Sequence, residues 1–211
     1  MRSPILCVAS VVALVGAAAS GGAARADIGL YEEGGMGTAR AAGGFDAFED
    51  GGFARRGAIG YRRAHLGGEL MMTAADLTMR GDDGFIEGVY TAMTVGPMLT
   101  GRVVFARTVM DKPFARWWEL YGRAGPTHTR MCGDPGDGPP DGTSGFGFAA
   151  GGGIRWVYAA VGFSLDITYV RAQLHKDRVH DPRDEMGIRD VPAVDLGGDV
   201  IATTLGFGFV I

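Results

Sequence analysis

The sequence predicts an all-β chain closed into an eight-stranded, antiparallel, up-and-down transmembrane β-barrel. Three observations carry that expectation. Large apolar and small or charged residues alternate with period two along most of the chain. A short apolar leader suits export. The connections between the inferred strands alternate between short turns and long polar loops. The alternation is clearest from Phe146 to Leu174. There Phe146, Phe148, Ala150, Gly152, Ile154, Trp156 and Tyr158 share one face, opposite Gly147, Ala149, Gly151, Gly153, Arg155 and Val157. After Ala159-Ala160, the residues Val161, Phe163, Leu165, Ile167 and Tyr169 share a face, opposite Gly162, Ser164, Asp166 and Thr168. Side chains of a strand point to opposite sides in turn. A soluble barrel of the lipocalin kind would hold its bulky apolar groups inside. A tight barrel has room inside for the glycine, alanine, serine and charged face instead. The Phe/Ile/Leu/Trp/Tyr face then looks outward, which lipid tolerates and water does not.

The leader explains how such a chain reaches a membrane. Arg2 is a short positive region, Ile5 to Ala19 is apolar, and Ala24-Arg25-Ala26 is a small-x-small cleavage site. The expected division is a signal peptide over residues 1–26 and a single barrel domain over 27–211. The apolar run is shorter than the roughly 20 residues a membrane helix needs, and no other segment qualifies. Cys7 opens that run rather than closing it, so it is not placed for lipid attachment. Losing Arg2 and Arg25 with the leader would move the net charge from −4 to −6. With no basic bias, nucleic acid is not expected as a partner. Cys132 would be left as the single cysteine, so no intrachain disulfide is expected. The 37 glycines among 211 residues far exceed the usual share of about 7 per cent. They are interleaved with aromatic and β-branched residues, which points to a crowded barrel face rather than to disorder.

Taken in order, the first strand is placed at about Ile28 to Arg40, where the adjacent Glu32 and Glu33 must face opposite sides. Ala41 to Gly51 reads as a loop. The second strand, about Phe53 to Arg63, has Phe53, Ile59 and Tyr61 on one face, and Ala64-His65 turns it. The third, Leu66 to Met79, sends Leu66, Leu70, Met72 and Ala74 outward and Glu69, Met71 and Thr73 inward. Arg80 to Gly84 reads as a turn. The fourth lies within Tyr90 to Arg107, with Met93, Val95, Leu99, Val103 and Phe105 opposite Thr94, Thr100 and Arg102. Pro97 cannot donate to a ladder, so a bulge or a split into two segments is expected there. Asp111-Lys112-Pro113 is the next turn. The fifth strand, about Ala115 to Met131, has Trp118, Leu120, Ala124 and Pro126 outward and Glu119, Tyr121, Arg123, Thr127 and Thr129 inward. Cys132 to Gly145 reads as a loop. Strands six and seven are the Phe146–Leu174 pair. His175 to Gly197 reads as a long charged loop. The eighth strand, about Asp199 to Ile211, places Ile201, Leu205, Phe207, Phe209 and Ile211 on one face.

Short turns at one end and longer loops at the other are the mark of transmembrane barrels, with the turns on the periplasmic side. The RGDDG connection is the exception to the alternation here. With these features in place, the chain resembles the small OmpA/OmpX-like outer-membrane β-barrel family. The resembling residues are the leader, Glu119-Leu-Tyr-Gly-Arg-Ala-Gly-Pro126, the Phe146–Leu174 hairpin and Thr204-Leu-Gly-Phe-Gly-Phe-Val-Ile211. The last resembles that family's C-terminal recognition signal, though it ends in Ile211 where an aromatic residue is usual. The resemblance implies a porin-like barrel in the Gram-negative cell envelope. It further implies localisation to the outer membrane after export and signal-peptide cleavage.

The inward charges expected from alternation are Glu69, Arg102, Glu119, Arg123, Arg155 and Asp166, with Arg62 a further candidate. Buried charges cost several kcal/mol unless paired, and eight strands enclose only enough room for side chains. A closed lumen filled by paired charges is therefore expected. Phe148, Trp156, Tyr158, Phe163, Tyr169, Phe207 and Phe209 are expected on the lipid-facing or interfacial surface, and Trp117 and Trp118 also invite that reading. No catalysis is expected. Ser144 and Ser164 lack a histidine at a suggestive spacing, and His128 falls on the outward face, with Thr127 and Thr129 on the other. No metal or other cofactor is expected. His175, Asp177, His180 and Asp181 match no ligand template, and Asp134, Asp137 and Asp141 lack EF-hand spacing. The glycines of GFGFAAGGG precede a strand rather than a helix, so they do not form a phosphate loop. The expected role is structural or surface-interactive. The expected partners are outer-membrane lipid and an extracellular partner that engages the loops, and the chain is expected to be a monomer. The alternatives are a narrow pore, a lipid-directed outer-membrane enzyme, and a soluble periplasmic ligand-binding barrel with the opposite facing.

Overall fold

Period-two alternation does fold into strands, and they close on themselves. The computed structural model describes residues 28–45, 52–63, 65–80, 86–109, 115–133, 143–176, 179–180, 190–191 and 194–210. The strands are β1 (Ile28–Ala42), β2 (Gly52–Arg63), β3 (Leu66–Arg80), β4 (Ile86–Val109), β5 (Ala115–Gly133), β6 (Ser144–Tyr158), β7 (Val161–Lys176), β8 (Val179–His180), β9 (Asp190–Val191) and β10 (Val194–Val210). Eight of them form a closed antiparallel barrel in the order β1-β10-β7-β6-β5-β4-β3-β2, and β8 pairs with β9 in a separate two-stranded sheet. Neighbours in the barrel are neighbours in sequence, apart from the β1–β10 seam and the β8–β9 insertion.

The register sets the bore. From Val103 the ladder partners run through Leu120, Ile154, Leu165, Leu205, Met36, Arg55 and Ala74 and return to β4 at Met93, ten residues from the start. Eight strands staggered by that much tilt about 40° from the barrel axis and leave an interior that side chains fill. The glycines make that filling possible. A Cβ on Gly153 would come within 2.0 Å of the Leu165 carbonyl oxygen, and one on Gly60 within 2.6 Å of the Tyr31 hydroxyl.

The facing is apolar side out. Leu66, Leu70, Leu99, Val103, Leu120, Phe148, Phe163, Ile167 and Leu205 all stand exposed on the outer wall. Ile154 projects the same way and is half-buried among its neighbours. The interior is layered. Near the short-turn end, Tyr31, Trp117, Val157 and Val210 cluster. Beyond them lies a belt of buried charges. The half of the lumen toward the longer connections is apolar, packed with Met71, Leu77, Tyr90, Met131, Leu174 and the alanines around them. Phe45, from a single 3-10 turn at Gly43–Phe45, closes over this half.

Several expected boundaries shift. β4 runs unbroken past Pro97 with no bulge there. It stays paired with β3 through Leu70 and Pro97. Its pairing with β5 lapses after Val95 and resumes at Leu99 in the same register. The β3 ladder thus carries the strand across the missing donor. The register shift comes later, between Phe105 and Thr108, where Ala106 adopts a positive φ of 51°. Cys132 and Gly133 belong to β5, and Ser144 and Gly145 to β6, because ladder pairing outlasts the glycine-rich composition. Arg80 ends β3 rather than opening a turn. His175 is in β7, and β10 begins at Val194, so the long charged stretch is partly strand. The leader, Asp111-Lys112-Pro113 and Ile211 lie outside the described residues, as do Asp134, Asp137, Asp141, Asp177 and Asp181.

Candidate functional site

The charged belt is built from five arginines and four carboxylates, all buried: Arg56, Arg62, Arg102, Arg123 and Arg155 with Glu33, Glu69, Glu119 and Asp166. Each sits on the inward parity of its strand, and the tight bore brings them within reach. Glu119, on β5, is the most heavily engaged. It accepts from Arg62 Nη1 at 3.0 Å, Arg102 Nη1 at 3.0 Å, Arg155 Nη1 at 2.5 Å and Trp117 Nε1 at 3.2 Å. Arg155 uses its other terminal nitrogen on Glu33, which also accepts from Arg56 and from the Ser164 hydroxyl. Arg56 Nε lies 3.6 Å from Asp166 Oδ1. Asp166 accepts from Arg123, from the Tyr121 hydroxyl at 2.8 Å and from the Thr168 hydroxyl at 2.7 Å. Arg123 Nε in turn is 3.6 Å from Glu69 Oε1, and Tyr31 donates to Glu69.

The groups therefore form one alternating chain: Glu69, Arg123, Asp166, Arg56, Glu33, Arg155, Glu119, and then Arg62 and Arg102. It ties together β1, β2, β3, β4, β5, β6 and β7. Two tyrosine rings pack against it. The Arg155 guanidinium lies 4.4 Å from the Tyr121 ring centre and 5.5 Å from that of Tyr31, an arrangement that favours a cation. Two guanidiniums on one carboxylate and two carboxylates on one guanidinium offset the desolvation that a single pair would leave exposed.

All six inward charges named from the sequence, and Arg62, meet in this belt. Glu33, Arg56 and Tyr31 were not singled out as members. Glu33 and Arg56 each stand beside a like charge, Glu32 or Arg55, that points the other way, so only the parity of the flanking apolar residues could have found them. The sequence also left Ser164 without a partner, and here its hydroxyl is spent on Glu33.

The outer aromatics divide. Trp156 stacks on Phe163 at 5.9 Å and on Tyr158 at 6.1 Å, and stands 6.4 Å from Trp118. Phe163 meets Phe207 at 5.4 Å, and Phe207 meets Phe209 at 5.1 Å. These rings form a ladder across β5, β6, β7 and β10 at the short-turn end. Phe148 and Tyr169 lie apart from it, toward the longer connections, where the Tyr169 hydroxyl donates to Asp199 at 2.9 Å. Trp117 does not join the outer set. Its parity is opposite to that of Trp118, so it is buried in the lumen against Glu119. His128 faces outward and meets the Phe146 ring edge-on at 5.2 Å. Among the described residues no three His, Cys, Asp or Glu side chains gather as metal ligands would. No helix there is long and apolar enough to cross a membrane, which says nothing of strands.

The architecture is the one expected of the small OmpA/OmpX-like barrels. Two of the solved structures that resemble it in fold are small barrels. One is the crystal structure of Neisserial surface protein A (NspA), with a TM-score of 0.49, 12% identity and coverage of 86% of this chain and 97% of that one. The other is the outer membrane protein OprG from Pseudomonas aeruginosa, with a TM-score of 0.47, 12% identity and coverage of 88% and 97%. No protein-family model and no curated protein matches the chain.

Proposed function

We propose that this chain is an outer-membrane β-barrel with a closed lumen and a structural or surface-interaction role. On this reading it is exported, cleaved after Ala26 and inserted as a monomer with its longer connections outside. One observation carries the reading: the wall is apolar outward and charged inward. Leu66, Leu99, Val103 and Leu205 are each more than 60% exposed, while Glu119 and Asp166 are fully buried. Water would penalise such a wall and hydrocarbon would not. The lumen supports a plug rather than a conduit. The charged belt and the apolar packing beyond it fill the bore in series, and a space beside the belt, lined by Tyr31, Arg62, Glu69, Arg102 and Glu119, holds about 20 Å³, the size of a single water. The inward Ser164, a candidate nucleophile, is held by the Glu33 carboxylate rather than by a histidine, which supports a role without catalysis. The loops remain the surface through which an external partner would act.

Cell fractionation with heat-modifiable gel mobility tests the location and the fold together. Recovery in detergent-extracted outer membrane is expected, with faster migration of the unheated chain. A water-soluble periplasmic monomer would overturn the reading. In a planar bilayer no steady conductance is expected, and discrete single-channel steps would replace the plug by a pore.

A further inference from the structure

The rim of the barrel toward the longer connections carries a cluster that neither the lumen nor the aromatic ladder uses. Among the described residues four arginines face outward there, Arg40 on β1, Arg55 on β2, Arg130 on β5 and Arg171 on β7, against two outward aspartates, Asp76 and Asp199. Arg55 is committed to Asp76 at 3.1 Å. Arg130 and Arg171 are different. Both are exposed, and Arg130 has no ion-pair partner among the described residues. Arg171 reaches Asp199 only at 4.0 Å, with its side chain 69% exposed, and that carboxylate already accepts from Tyr169. Between them, on the intervening β6, stands Phe146, 78% exposed and thus the most exposed of the large apolar side chains on the wall. The register (Arg130 opposite Ser144, Arg171 opposite Phe148) puts Phe146 midway between the two arginines. From strand spacing and rise their Cα atoms are roughly 16 Å apart, a gap that two extended arginines can close around one group.

We propose that Arg130 and Arg171 bind the phosphate of an anionic membrane lipid, with Phe146 against the lipid's apolar portion. The inference rests on the membrane reading above and adds the chemistry of the ligand. Guanidinium forks match phosphate oxygens in pairs and shed water more readily than ammonium groups. The site stands where the apolar wall gives way to polar side chains, the depth of lipid headgroups. A soluble anion would have no use for the exposed ring. A carboxylate or a phosphodiester offers two free oxygens, enough for one guanidinium fork, whereas a terminal phosphate offers three and can engage both arginines at once.

The test uses the full chain, inserted in phosphatidylcholine vesicles containing either phosphatidic acid or phosphatidylserine. The lipid retained on extraction is read by native mass spectrometry. Three proteins are compared: wild type, the double variant Arg130→Gln/Arg171→Gln, and the control Arg63→Gln/Arg116→Gln, which removes two outward arginines at the short-turn end. Wild type and control should retain phosphatidic acid over phosphatidylserine, and the double variant should lose about tenfold or more of that retention. Equal retention in the double variant, or equal loss in the control, would overturn the site. Inorganic phosphate binding as tightly as the lipid would overturn the lipid assignment. Heat-modifiable mobility is read first. A double variant that keeps it has lost binding and not fold, whereas a wild-type chain that inserts in neither vesicle fails the membrane reading itself.

Discussion

The two halves of the lumen are filled by opposite means. Toward the short turns, nine charged groups are locked by hydrogen bonds and ring contacts. Toward the longer connections, Phe45, Leu77, Tyr90, Met131 and Leu174 pack against alanines with hardly a charge among them. The apolar half gains from area removed from water and tolerates some repacking. The charged half is brittle, because its groups are buried and each is balanced by others. The same barrel therefore has one end that specifies which residues meet and one end that excludes solvent.

The largest effect should come from the brittle half. Glu119→Leu takes a shared carboxylate from three guanidiniums and an indole donor, and should lower unfolding stability by about 3–5 kcal/mol in urea titrations followed by gel mobility. Arg155→Leu should do nearly as much by taking one guanidinium from Glu119 and from Glu33 together, and Arg123→Leu somewhat less through Asp166. The double variant Glu119→Leu/Arg155→Leu should fall short of the sum of its singles, since the second change removes a charge that the first had left with one carboxylate instead of two. Additive losses would mean that the belt is not one network.

The apolar half should respond next. Leu77→Ala should cost about 2–4 kcal/mol by leaving a cavity in a fully buried site. Gly198→Val probes its lid, since a Cβ there would come within 2.3 Å of the Phe45 ring. Displacing that ring should cost about 1–3 kcal/mol. Should Leu77→Ala exceed Glu119→Leu in the same titration, the ranking of the two halves would be inverted. Smallest of all should be the outer pair Arg55–Asp76, half-exposed on the wall, where Asp76→Asn should shift stability by under about 1 kcal/mol.

Much of the barrel was legible because a period of two leaves little freedom. Once Phe163 is outward, Ser164 and Asp166 must be inward. Glu69, Arg102, Glu119, Arg123, Arg155 and Asp166 followed from their strands in this way. Their partners did not, because Arg155 and Glu33 are 122 residues apart in sequence and meet only when the barrel closes. Strand ends were blurred wherever glycine and charge imitate a loop, as at Cys132-Gly133 and in the stretch before Asp199. The apolar half of the lumen was the larger omission. A crowded interior predicts small or paired side chains, yet near the loop end Tyr90 and Phe45 fit inside because Gly133 leaves room for the first ring and Gly198 for the second.

Which face meets hydrocarbon is the claim beneath all of this, and the three tryptophans can report on it directly. Trp156 looks outward and Trp117 inward, one strand apart. Single-tryptophan chains, one keeping Trp156 and one keeping Trp117, would be inserted in vesicles whose acyl chains carry bromine, which quenches indole fluorescence on contact. Strong quenching of Trp156 with Trp117 left bright is the expected result, and quenching of Trp117 with Trp156 spared would contradict it.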